Sequence, residues 1–321
     1  MKIALIIPYF GKLPNYFQIF LDSCKENPKF DWIIFTDDET KYDFPPNVHI
    51  IPMSFSECRN KIQSYFDFQV SLSNPQKLCD YKCAYGYIFK DYLTEYSWWG
   101  HCDLDQIFGN LGRFISEDLL NTYDKIGSLG HLTLYRNTPE NNQIFKCTNR
   151  YREVFSTELG CAFDEWLPGN INEIFLNSGR PVLLENYGAD INAYRTSFEL
   201  VTYNVPKLCY EFDGISNNIF LWQNGTLLRL WNQDGQIQSQ EYPYVHLQKR
   251  KMKISLNNAN YKSFFILPNE FNNSIADVYQ LLRISKWRGT INTQWFRVKW
   301  KSLKYRIKNK DWNFHSIFTS K

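Results

Sequence analysis

No stretch of this chain approaches the ~20 apolar residues that a membrane-spanning helix needs, which argues against a span. The opening, Met1 to Phe10, holds one lysine and a five-residue apolar run ending at Pro8, too short for a secretory leader. Cys-x-x-Cys pairs are missing as well. The eight cysteines (24, 58, 79, 83, 102, 147, 161 and 209) are scattered, which suits neither a disulfide framework nor a zinc ribbon and fits reduced thiols in a cytoplasm. There is no internal repeat and no low-complexity segment. With 25 Phe, 21 Tyr and 10 Trp, the chain can bury a large core, so disorder is excluded. Finally, no Asp or Glu occurs between Arg283 and Lys310, although that stretch holds ten of the 36 Lys and Arg. All 33 acidic residues lie elsewhere, so an acidic body carries a basic tail that must meet something anionic.

What is present opens as alternating strand and helix. Ile3 to Ile7 is a continuous apolar run, as a strand buried on both faces of a mostly parallel sheet requires. Phe17, Phe20, Leu21 and Cys24 then recur at helical spacing, and Asn27-Pro28 stops them. Trp32 to Phe35 and Val48 to Ile51 read as further strands, and Glu57 to Phe68 as a helix. Lys77 to Tyr96 reads as one long helix. Such a β-α-β array predicts an α/β fold with a mostly parallel sheet and a ligand at the carboxyl ends of its strands. Further on, Ile126 to Leu134 and Arg180 to Leu184 read as strands and Asn170 to Asn177 as a short helix. Phe220 to Trp231 about Asn224-Gly225, then Gln236 to Val245, read as strands near a turn. The composition shifts after Lys253, which places a boundary between residues 1–253 and 254–321.

The sharpest local feature is Trp98-Trp99-Gly100-His101-Cys102-Asp103-Leu104-Asp105, an aromatic strand ending in Asp-x-Asp. At a strand end, residues i and i+2 can point the same way, so Asp103 and Asp105 can converge on one divalent cation, Mn²⁺ or Mg²⁺. Such a cation bridges a diphosphate and neutralises it. A bare Asp-x-Asp also arises by chance; its place at the end of a buried strand favours the metal. His246 closes the run Tyr242 to Val245 and is followed by Lys249, Arg250 and Lys251. It is either a further metal ligand or a histidine in a basic surface patch.

The segments IIPYFG (Ile6 to Gly11), FTDD (Phe35 to Asp38), KLCDYKCAYGYIF (Lys77 to Phe89), WWGHCDLDQIFGNL (Trp98 to Leu111), FDE (Phe163 to Glu165) and HLQKRKM (His246 to Met252) resemble those of GT-A type nucleotide-sugar glycosyltransferases. Among these, they resemble a bacterial family found with capsule and O-antigen polysaccharide enzymes. The resemblance implies a GT-A-like, Rossmann-related mixed sheet flanked by helices. It departs from the family pattern at Cys83, where proline is usual. It implies that Pro8, Tyr9 and Phe10 lie against the base and ribose of the donor, and that Asp37 accepts hydrogen bonds from them. Lys77 or Lys82 would reach the diphosphate or sugar, and Asp80 a sugar hydroxyl; a solvated helix end is the alternative for all three. Asp103, Asp105 and His246 would form the metal triad, and Lys249 would hold the leaving diphosphate. An inverting enzyme needs a carboxylate to deprotonate the acceptor, and Glu165 or Asp164 is placed for it, with Trp166 to stack on a sugar and His131 to bond a hydroxyl. Asp164 as a helix cap and Glu165 as a solvated group is the competing reading. Inverting and retaining chemistry both stay open.

In the tail, Phe296, Trp300, Leu303 and Ile307 recur at helical spacing among basic residues. Such a helix suits an anionic membrane surface, or docks its aromatic face on the body. No nucleic-acid module accompanies the charge. The expected protein is a metal-dependent transferase, cytoplasmic and peripheral on the inner face of the membrane. It would move a sugar from a nucleoside diphosphate, UDP first, to a glycan acceptor that is lipid-linked. A sugar nucleotidyltransferase is a competitor, but it wants a glycine-rich loop, and Pro8-Tyr9-Phe10-Gly11-Lys12 has one glycine. A non-catalytic membrane-associated assembly protein is the other; both carboxylates of the Asp-x-Asp speak against it.

Overall fold

In the computed structural model, which describes residues 1–165, 168–204, 207, 209–257, 261–290 and 293–308, the chain divides into two compact units. The first is Met1–Tyr187 and the second starts at Gly188. Among the described residues, the first unit holds the strands β1 (Ile3–Pro8), β2 (Phe30–Thr36), β3 (Val48–Pro52), β4 (Trp98–Cys102), β5 (Gln106–Phe108), β6 (Lys125–Ile126), β7 (Leu132–Arg136) and β8 (Val182–Leu183). Seven of these form one sheet in the order β3-β2-β1-β4-β7-β6-β8. β3, β2, β1 and β4 are parallel to one another, and β7 alone runs against its neighbours. This mixed, mostly parallel sheet flanked by helices is the α/β architecture expected from the apolar runs. β1, β2 and β4 are buried almost throughout, which is why they read as unbroken apolar segments rather than as alternation.

Local chemistry sets the element ends. The helix expected from Glu57 begins at Phe55, where Ser54 and Glu57 close a reciprocal capping box, and it ends at Gln63. The single helix expected over Lys77 to Tyr96 is instead a 3₁₀ helix (Pro75–Ala84), one α-turn (Tyr85–Ile88) and a second 3₁₀ turn (Lys90–Tyr92). In the first of these, the polar residues Lys77, Asp80 and Lys82 are buried and bonded to distant segments, which apolar spacing does not reveal. The strand expected over Ile126 to Leu134 is two antiparallel strands, β6 and β7. Gly127, at φ 92°, turns the chain between them in the left-handed region that glycine tolerates.

The second unit contains β9 (Ala189–Asp190), β10 (Val201–Asn204), β11 (Cys209–Phe212), β12 (Asn218–Gln223), β13 (Thr226–Gln233), β14 (Gln236–Glu241), β15 (Tyr244–His246), β16 (Lys253–Ser255), β17 (Ser263–Leu267) and β18 (Glu270–Asn272). Six of them form a sheet in the order β14-β13-β12-β17-β18-β16, antiparallel except between β16 and β18. The hairpin at Asn224-Gly225 is β12 and β13, as its turn signal predicts. The run Gln236 to Val245 is divided between β14 and β15. Residue 253, where composition shifts, lies at the start of β16 and so within this unit. Two basic helices follow, Val278–Arg288 and Thr293–Lys308. Leu281 and Leu282 of the first are buried in a core with Ile219, Leu230 and Leu267.

Candidate active site

The first unit places Asp103 and Asp105 just beyond the carboxyl end of β4. That strand is fully buried, and Gly100 is required within it: a Cβ there would lie 2.3 Å from the Thr133 carbonyl oxygen. The Asp103 amide donates to the His131 carbonyl (3.3 Å), and the Gln106 side chain donates to the same oxygen (2.8 Å), fixing the turn between β4 and β5. Asp105 is buried and Asp103 partly exposed. Burial first, then the charges of Asp105, Asp103 and Asp38, push the Tyr9 phenol up, which puts that ring in the field of the two aspartates.

The loop after β1 is held by acids of the loop after β2. Gly11 N donates to Asp37 Oδ1 (2.7 Å) and Leu13 N to Asp38 Oδ2 (3.0 Å). Asp37, expected to meet the base or ribose, is exposed and anchors the Gly11 backbone. Pro8 and Tyr9 are half-buried, whereas Phe10 turns into the core with its ring 5.4 Å from that of Phe55.

Lys82 is the cation of this region. With three residues per 3₁₀ turn, Lys77 and Asp80 share one side of the helix, and Lys82 faces another together with Cys79. Its Nζ donates to Asp103 Oδ1 (2.9 Å) and to the Gly130 carbonyl (2.9 Å), with Asp164 Oδ2 at 3.8 Å. Burial opposes the charge on Lys82, but Asp103, Cys79 and Asp164 outweigh it and hold the ammonium well above the ordinary lysine range. Lys77 and Asp80 are placed differently from the expectation of donor contacts. They form a buried pair at 2.8 Å. Lys77 also donates to the carbonyls of Val154 (2.9 Å) and Leu159 (2.6 Å), while Asp80 accepts from the amides of Cys161 (3.0 Å) and Phe163 (3.1 Å). The pair therefore staples the loop that leads to Asp164.

Gly130 ties this loop to β4. Its carbonyl accepts from Lys82 and from His101 Nδ1 (3.0 Å), and its amide donates to Glu165 Oε1 (2.7 Å). A Cβ on Gly130 would lie 2.3 Å from Asp164 Oδ2, so the buried carboxyl of Asp164 packs on the bare glycine. Burial pushes the Asp164 carboxyl well up; Lys82 opposes this, and the charges of Glu165 and Asp103 add to it. Glu165 is the other acidic side chain at this turn. His101 is buried, and burial with the charge of Lys82 holds its imidazole neutral, so Nδ1 carries the proton it gives to Gly130. His131 is buried beside them, and Trp166 lies outside the described residues.

Four members of these networks escaped the sequence reading: His101, Lys125, Gly130 and Asp190. Lys125 is buried with its ammonium on the Gly127 carbonyl and Asn172 Oδ1, and burial lowers it to about 7. A lysine and a histidine inside strands, and a glycine in the turn before β7, were the available signals.

In the second unit, His246 is buried and its Nδ1 lies 2.9 Å from Asp190 Oδ1, because β15 pairs with β9 in the register His246 to Asp190. Gln248 donates to the same oxygen (2.6 Å). Gln248 and Lys249 both take left-handed backbone, φ 53° and 56°, an uncommon pair for residues with side chains. Lys249 is exposed, whereas Arg250 turns inward and donates to the carbonyls of Asn192, Arg195, Thr196 and Ser197. His246 is therefore no surface histidine; it is an oriented, carboxylate-held imidazole.

No curated protein matches the chain in sequence. Among solved structures, it is similar to the galactosyltransferase LgtC in complex with donor and acceptor sugar analogues, at 10% identity and a TM-score of 0.34, over 60% of this chain and 77% of that one. An active-site mutant of LgtC is similar at 9% identity and a TM-score of 0.33, over 60% and 76% of the two chains. The model of a family of unknown function, DUF6625, matches residues 5–275, and the chain belongs to that family.

Proposed function

We propose that this protein is a metal-dependent glycosyltransferase that moves a sugar from a nucleoside diphosphate, UDP first, to a hydroxyl of a glycan. The observation that carries this reading is the set of Asp103, Asp105 and Lys82 at the carboxyl end of β4, beside the Tyr9 loop of β1. Two oxygen donors of this kind fit a hard divalent cation such as Mn²⁺ or Mg²⁺. The proposal assigns Asp103 and Asp105 as ligands and His246 as the third, since a carboxylate on Nδ1 orients the ring to ligate through Nε2. When bound, the cation neutralises the leaving diphosphate. Lys249, exposed beside His246, would add charge there.

On the acceptor side, Glu165 or Asp164 is proposed as the base if the reaction inverts; Glu165 is oriented by the Gly130 amide, and burial pushes the Asp164 carboxyl up. His131 and Trp166 remain proposed sugar contacts, and Pro8 and Tyr9 proposed donor contacts. The burial of Phe10, Lys77 and Asp80 favours support of the site over contact with donor. The acceptor is proposed to be lipid-linked, in bacterial surface polysaccharide synthesis, with the enzyme peripheral on the cytoplasmic face of the membrane. Support comes from the tail: Trp287, Phe296 and Trp300 are 76%, 61% and 58% exposed among basic residues. No described helix is long and apolar enough to cross a membrane.

The test is a thermal-shift screen of nucleotides and nucleotide-sugars with and without Mn²⁺. Stabilisation by UDP that requires the cation is expected; equal stabilisation in excess chelator would sink the metal reading.

A further inference from the structure

Lys82 stands where a cation bound by Asp103 would feel it most. Its side chain is nearly buried, and its ammonium donates to Asp103 Oδ1 and to the Gly130 carbonyl, both at 2.9 Å. The Gly130 carbonyl has a second donor in His101 Nδ1 (3.0 Å), so it does not depend on Lys82 for a partner. The contact to Asp103 is the ion pair, and through it the charge of Lys82 acts on that carboxylate.

We propose that Lys82 is a built-in counter-cation that holds down the affinity of Asp103 and Asp105 for a divalent cation in the absence of donor. The inference rests on the metal reading above and adds to it a control on when the metal stays. An arriving cation has two courses. It can share Asp103 with an ammonium a few ångströms away, and like charges at that distance in a partly buried site repel strongly. Otherwise it displaces Lys82, whose charge then loses its carboxylate inside the protein. Both courses subtract from the cation's affinity. An anionic donor supplies the missing negative charge, so cation and donor are retained together and the cation alone is retained poorly.

The experiment titrates Mn²⁺ alone into the full-length protein and reads free Mn²⁺ by electron paramagnetic resonance. Four proteins are compared: wild type, Lys82→Gln, Lys82→Met and Lys82→Arg. Gln keeps a donor without the charge, Met removes both, and Arg keeps the charge; melting curves identify which variants are folded. Lys82→Gln or Lys82→Met should bind Mn²⁺ at least about ten-fold more tightly than wild type, with Lys82→Arg within about two-fold of it. Unchanged or weaker binding in a folded charge-free variant overturns the proposal. So does equal tightening in Lys82→Arg, which would make packing rather than charge the cause. If Lys82→Arg alone folds, tightening in it overturns the proposal and unchanged affinity supports it. Absence of Mn²⁺ binding in every protein, together with UDP stabilisation that ignores chelator, defeats the metal reading itself, an outcome distinct from failure of the Lys82 role.

Discussion

Lys77 Nζ donates to Asp80 Oδ2 across 2.8 Å, and both side chains are buried. Each also holds the backbone of residues 154–163, so the pair joins the 3₁₀ helix Pro75–Ala84 to the loop before Asp164. Removing one partner leaves the other charge buried and uncompensated. Asp80→Ala or Lys77→Met should therefore cost about 3–5 kcal/mol in the ligand-free protein, measured by urea unfolding. A pair that served only to grip the donor would leave this value unchanged.

Gly130 makes the second prediction. Its Cα faces the Asp164 carboxyl so closely that alanine puts a methyl 2.3 Å from Oδ2 and 2.9 Å from Glu165 Oε1. Both acidic side chains must move, at a cost of about 1–3 kcal/mol by overpacking. Transfer activity should fall further than this loss of stability explains, because Glu165 leaves its bond to the Gly130 amide. Comparing the melting temperature with turnover separates the two effects.

These two sites show where the sequence was legible. β1, β2 and β4 are buried on both faces, so their apolar runs announced them, and the carboxylates after β4 were visible as a motif at a strand end. Lys77 and Asp80 showed three-residue spacing, but their partners lie at Val154, Leu159, Cys161 and Phe163, too far along the chain for any local pattern to report. Likewise the bond of Asp37 to the amide of Gly11, between the loops that follow β2 and β1, joins residues too far apart in the chain for a local pattern to report. Asp190, in a two-residue strand, has no periodicity to betray it, and its role emerges only once β9 and β15 are paired.

Lys125 gives stability a pH dependence of known sign. In the folded chain burial lowers it from 10.5 to about 7, so between these values the unfolded chain binds the extra proton. Stability linked to Lys125 is complete above the unfolded value and is lost as pH falls toward the folded one. The difference in unfolding free energy, wild type minus Lys125→Met, should rise with pH from 8 to 10 by up to about 1.4 kcal/mol per unit. A flat difference would show that the ammonium stays charged on the Gly127 carbonyl and Asn172.

Asp190 acts on the proposed third ligand through its hold on His246 Nδ1. Loss of such a carboxylate partner typically weakens metal binding 10–100-fold. Asp190→Asn should accordingly raise the Mn²⁺ concentration needed for UDP to stabilise the protein, and His246→Ala should raise it further. If both variants respond to Mn²⁺ as wild type does, while melting far lower without ligand, the pair is structural.

The last prediction concerns the two C-terminal helices. In Val278–Arg288, Leu281 and Leu282 are buried, while Trp287 points outward next to Lys286 and Arg288. In Thr293–Lys308, Phe296 and Trp300 are exposed beside Arg297, Lys299 and Lys304. The first helix thus docks through its leucines and leaves its indole outside, so docking and surface binding do not compete for the same residues. Each basic residue close to an anionic bilayer contributes about 1 kcal/mol, attenuated within a Debye length, and indole rings favour the headgroup level. Adsorption to vesicles containing anionic lipid should therefore weaken steeply with salt yet persist in part, because the aromatic contribution is unscreened. Trp287→Ala with Phe296→Ala and Trp300→Ala should abolish the salt-resistant part, and Lys286→Gln with Lys299→Gln and Lys304→Gln should flatten the salt dependence. Both are read by co-sedimentation of the full chain. Equal pelleting with neutral and anionic vesicles would leave the basic residues of this face without an anionic lipid partner.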